Sequence, residues 1–92
     1  MQLPPEDVLR GALNVLYIAG VYTRNWTWND EVSRKQINDL WEALHPIPDL
    51  LTRWRGDDAE RELLMYLREY KEKWSEPNLE GAYRNGIART RR

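Results

Sequence analysis

Apolar side chains return every three to four residues through four separate stretches of this 92-residue chain. Only an α-helix, with 3.6 residues per turn, gathers that spacing onto one face. Ile37, Leu40, Trp41 and Leu44 make one stripe. Ala59, Leu63, Tyr66, Leu67, Tyr70 and Trp74 make the clearest, with Glu69 and Lys73 as an i, i+4 pair on its outer side. Ile47, Leu50, Leu51 and Trp54 share a face of a short helix that Gly56 is expected to stop. Leu79, Ala82, Tyr83 and Ile87 keep the rhythm, although Gly81 and Gly86 weaken that last element.

The first stretch is helical in a different way. Pro4-Pro5-Glu6-Asp7 reads as a helix start, with proline and acids in the first turn. From Val8 to Thr23 a narrow stripe of Arg10, Asn14, Tyr17 and Val21 is set against an apolar remainder. A helix apolar over so much of its circumference needs more than one neighbour, so it lies centrally or meets a second copy of itself. Residues 15–23 are also rich in β-branched and aromatic types, which leaves a strand as the alternative there.

Punctuation divides these stretches. Arg24 to Asn29 is the first connection, Thr27 or Asn29 caps the second helix, and His45-Pro46-Ile47-Pro48 ends it. Asp57 and Glu60 have the spacing of a capping box. Ser75-Glu76-Pro77 breaks the fourth stretch. The expected architecture is all-α: a small helical bundle of three main helices, a short helix and a C-terminal helical arm. Residues 1–88 form one domain and 89–92 a flexible basic tail.

Composition narrows the function. The chain has no cysteine, which removes disulfides, thiolate chemistry and Cys-based metal sites. Its formal net charge of −1 gives no general attraction to nucleic acid or an anionic membrane. The opening Met-Gln-Leu-Pro-Pro-Glu-Asp has no basic run, and the apolar stretch from Ala12 to Tyr22 is about half the ~20 residues of a membrane span. The expectation is a cytoplasmic protein.

Catalytic constellations find little support. Glu42 and His45 have the Glu-x-x-His spacing of helical di-iron sites, but Glu42 falls far from the apolar face of its helix and points to solvent. Asp57, Asp58, Glu60 and Glu62 are explained by a helix start. No Gly-rich phosphate loop, G-x-S-x-G elbow or Ser-His pair occurs. The expectation is a non-enzymatic protein with no cofactor and no metal.

The aromatic set points to protein partners. Five tryptophans and five tyrosines stand beside no phenylalanine, so every ring carries a polar handle that needs water or a partner. Trp41, Trp54, Trp74, Tyr66 and Tyr70 fall on helical stripes and read as core. Trp26 and Trp28 lie in a connection instead, beside Arg24, and Trp and Arg are the residues that anchor interfaces. Leu64 and Met65, off the stripe of their helix, add apolar surface. The sequence therefore reads as a helical interaction module, an adaptor, accessory subunit or regulator. Trp26, Trp28, Arg24, Leu64 and Met65 contact its protein partner, and a homodimer forms through Leu9, Leu13, Leu16 and Gly20 of the first helix. The alternative is a nucleic-acid-binding regulator. Arg84, Arg89, Arg91 and Arg92 give residues 81–92 four positive charges with no acid, and Tyr83 is its stacking ring.

Overall fold

A computed structural model of the chain describes residues 3–24 and 30–90. Among them are five α-helices and no strand: α1 (Glu6–Thr23), α2 (Glu31–Leu44), α3 (Ile47–Thr52), α4 (Asp57–Lys73) and α5 (Leu79–Thr90). The stretch 15–23 is helix throughout. Its β-branched residues are accommodated because Val15 and Ala19 pack into the core and Ile18 lies against it.

The most extensive pairing joins the first helix to the last. Val8, Gly11, Ala12, Val15 and Ala19 form the buried face of α1, and Leu79, Ala82, Tyr83 and Gly86 that of α5. Small residues let the two backbones touch. A Cβ built on Gly86 would lie 2.6 Å from the Arg10 carbonyl oxygen and 2.6 Å from the Gly11 Cα. One on Gly11 would meet the Tyr83 ring at 2.8 Å. The glycine that weakens α5 as an isolated helix is the residue that permits this crossing. Asn14 belongs to the same seam: its Nδ2 donates to the Ala82 carbonyl at 2.6 Å. The stripe of Arg10, Asn14, Tyr17 and Val21 is thus not a uniform solvent face, because Asn14 and Val21 are half-buried.

α4 is the helix that α2, α3 and α5 all meet. Ala59, Leu63, Leu67 and Tyr70 are buried along it, with Leu40 and Ala43 of α2 and Ile47 and Leu50 of α3. Trp54 completes this core at 9% exposure. The aromatic handles that point inward are partnered. Tyr70 donates to the Glu76 carbonyl (3.1 Å) and accepts from Gln36 Nε2 (3.1 Å), which also reaches Glu76 O at 2.7 Å. Trp74 Nε1 donates to Asp39 Oδ2 at 2.8 Å. Tyr83 donates to Glu60. Among the described residues no buried side-chain nitrogen or oxygen lacks a hydrogen-bond partner, as burial requires. The Glu76–Pro77 peptide is cis, with Pro77 fully buried.

Several helix ends differ from the sequence expectation. α2 is capped by Asp30, whose carboxylate accepts from the Val32 amide and the Ser33 hydroxyl. Asp57 and Glu60 form no capping box: the N-cap of α4 is Gly56 at φ 75°, and Glu60 turns to Tyr83 instead. Gly56 does not stop α3 either, which ends four residues earlier at Thr52, with Arg53 as its C-cap. At the far end α5 runs through Arg89 and Thr90, so half of the expected basic tail is helical.

Candidate functional site

The largest departure concerns the faces of α1. Its buried residues occupy one side, against α5 and the core. Leu9, Leu13, Leu16, Tyr17 and Gly20 face away and are exposed, Leu13 at 63% and Tyr17 at 65%. The helix is therefore not central: one side is closed by α5, and the other is open. The four residues expected at a dimer interface, Leu9, Leu13, Leu16 and Gly20, all lie on the open side.

Trp41 extends this surface. Its place on the α2 stripe predicts core, yet the indole is 63% exposed. Leu40 and Ala43 take the side of α2 that meets α4, and Trp41 lies about 100° round the helix from Leu40. There it shares the rim of a groove with Leu16, Ala19, Gly20 and Thr23 of α1, which leave it uncovered. The indole leans edge-on against His45, ring centres 5.6 Å apart. Below it, Leu16, Ala19, Gly20, Ile37, Trp41 and Leu44 line an apolar groove of about 270 Å³ between α1 and α2. Among the described residues no neighbouring atom fills the space over Gly20: a Cβ built there would meet none within 4 Å.

The remaining expected site residues are dispersed. Trp26, Trp28, Arg91 and Arg92 lie outside the described residues. Arg24 is exposed at the C-terminal end of α1. Leu64 is half-buried against the core rather than exposed, because Ile87 of α5 lies over that side of α4; Met65 is exposed. Arg84 ion-pairs with Glu80 one turn back (3.2 Å), which Arg68 of α4 also contacts at 3.3 Å. Burial alone would raise the Glu80 carboxyl, but hydrogen bonds from Arg84 and Arg68 and their charges outweigh it and hold it below its ordinary value. Tyr83, the expected stacking ring, is 1% exposed and unable to take a base. Arg89 sits apart from Arg84, beside Arg10 and Tyr17 along the open edge of the α1–α5 seam.

Glu42 and His45 are both exposed, and among the described residues no three His, Asp or Glu side chains gather as metal ligands. No helix among them is long and apolar enough to cross a membrane.

Sequence reasoning placed Tyr17 only on the polar stripe and read Trp41 as core; no local signal marks Trp41 as exposed, because its cover depends on the helix opposite. With this geometry in place, the comparisons add a single finding: no family model, curated protein or solved structure matches the chain.

Proposed function

We propose that the protein is a non-enzymatic helical interaction module, an adaptor, accessory subunit or regulator acting in the cytoplasm, that self-associates through the open face of α1. The observation that supports this reading is the continuity of exposed apolar side chains from Leu9, Leu13, Leu16 and Tyr17 across the groove to Trp41. Monomeric soluble proteins rarely leave patches of more than a few hundred Å² uncovered unless something docks there. Scattered exposed leucines need no explanation, but a helical row of three beside an uncovered indole does. Trp26 and Trp28, with Arg24, are proposed as anchors for a further protein partner on the strength of their residue types and position alone.

Light scattering over a micromolar concentration series tests the reading. The mass should rise from 11.0 kDa towards twice that value. Leu13→Glu, which puts a charge where the single chain is already open to water, should hold the mass at that of one chain with its helicity unchanged. A wild-type chain that stays monomeric throughout the series refutes self-association.

A further inference from the structure

We propose that two copies pair antiparallel along α1, so that Leu9 of each copy enters the groove over Gly20, beside Trp41, of the other. This rests on the self-association reading above and specifies how it is achieved.

Three observations favour a second, reversed copy as the occupant. The first is spacing. Leu9, Leu13, Leu16 and Gly20 are separated by steps of four, three and four, the alternation of a coiled-coil seam. Those steps read the same from either end, so the row aligns with itself when reversed, as a two-fold interface requires. Reversal sets Leu13 against Leu16 and Leu9 against Gly20.

The second is size. The seam is bulky at its Leu9 end and empty at its Gly20 end, where the groove of about 270 Å³ has open space above the glycine. A reversed partner places the surplus over the deficit. A parallel partner would set Gly20 on Gly20 and enclose a void, which close-packed interfaces avoid.

The third is charge. Glu6 is exposed in the first turn of α1 on the flank of the seam, and Arg24 is exposed just beyond its last turn. Reversal brings the acidic end of each helix to the Arg24 end of its neighbour and opposes the two helix dipoles. Glu6 already meets Arg10 on its own helix at 3.2 Å, but that pair is fully at the surface and free to be shared. Parallel pairing would place acid on acid and Arg24 on Arg24.

The available area sets the strength. Leu9, Leu13, Leu16, Tyr17 and Trp41 together offer roughly 400 Å² per copy at their observed exposures. That is about 800 Å² for the pair before any polar rim, below the ~1,200 Å² at which stable specific interfaces begin and in the range of transient ones. The dimer should therefore exchange readily and depend on concentration.

The absence of cysteine gives a direct test. The variants Leu9→Cys and Gly20→Cys are made separately, each in the full chain, with helicity checked by circular dichroism. They are then mixed under a mild oxidant at concentrations where the wild type associates. In the antiparallel pair, positions 9 and 20 are adjacent across the seam. Like positions are about 16 Å apart along it, beyond the ~7 Å that a disulfide spans. The mixed 9–20 product should exceed either like-with-like product at least tenfold. Like-with-like links, a statistical mixture, or no link between the variants where the wild-type chain dimerises overturns the antiparallel pairing and leaves self-association standing. A wild-type chain that does not dimerise at all removes both.

Discussion

Gly11 and Gly20 lie half a turn apart on α1, one on each of its two faces, and they do opposite things. At Gly11 the missing Cβ is filled by a neighbour: Tyr83 presses within 2.8 Å of where it would be, and Gly86 brings the α5 backbone onto the same spot. At Gly20 the missing Cβ is simply space. The face containing Gly11 carries Val8, Ala12, Val15 and Ala19, all nearly inaccessible, while the face containing Gly20 carries larger side chains that remain in water. One helix thus spends its small residues on a close intramolecular crossing and its leucines on the outside. A fold maximising only its own burial would use the leucines inside. The self-association proposed above would account for this inversion.

The largest effect that could break this contrast is at the crossing. Gly86→Ala drives a Cβ into the Arg10 and Gly11 backbone, which cannot move aside as a side-chain tip can. Denaturant titration should show a loss of about 3 kcal/mol or more. Gly20→Ala, measured at concentrations too low for association, should instead gain roughly 0.5–1 kcal/mol from helix propensity alone. Equal effects at the two glycines would erase the distinction between the faces.

The tryptophans sharpen the same contrast. Trp54→Ala removes a buried indole and should cost about 3 kcal/mol or more. Trp41→Ala should leave the dilute chain within about 1 kcal/mol of wild type. It should nonetheless weaken association, because Trp41 borders the groove.

The smallest expected effect lies away from α1. Glu80 is held below the ordinary carboxylate value, so its contribution is fully present above about pH 4.5 and is lost as pH falls through the lower folded-state value. Glu80→Gln should reduce stability at neutral pH by less than about 1 kcal/mol and flatten the acid side of the profile. Stability curves collected between pH 3 and 7 would show whether the two profiles converge at the acid end.

Helix positions were legible in the sequence because the 3.6-residue rhythm is local. Which edge of a stripe is covered was not, since that depends on the helix lying opposite. Ile37, Leu40, Trp41 and Leu44 share one stripe, yet Leu40 is buried and Trp41 is left 63% exposed at the edge of the α1–α2 groove. Gly86 was legible as a weak point of an isolated helix, but its value depends on Gly11, 75 residues away in the chain. Asp57 and Glu60 had a capping spacing, and the spacing could not show that Tyr83 would claim Glu60. The leucines of the open face were legible as part of a broad apolar arc, but that α5 closes only the other side of α1 was not; Tyr17 was hidden in a stripe that looked polar.

The most direct measurement is an assigned amide and indole spectrum of the wild-type chain followed from micromolar to millimolar concentration. Pairing through α1 predicts shifts confined to Leu9, Leu13, Leu16, Tyr17 and Gly20, to the flanking Glu6 and Arg24, and to the Trp41 indole, with Gly11, Val15 and the α4–α5 contacts unmoved. A spectrum independent of concentration, or shifts centred away from α1, would contradict it.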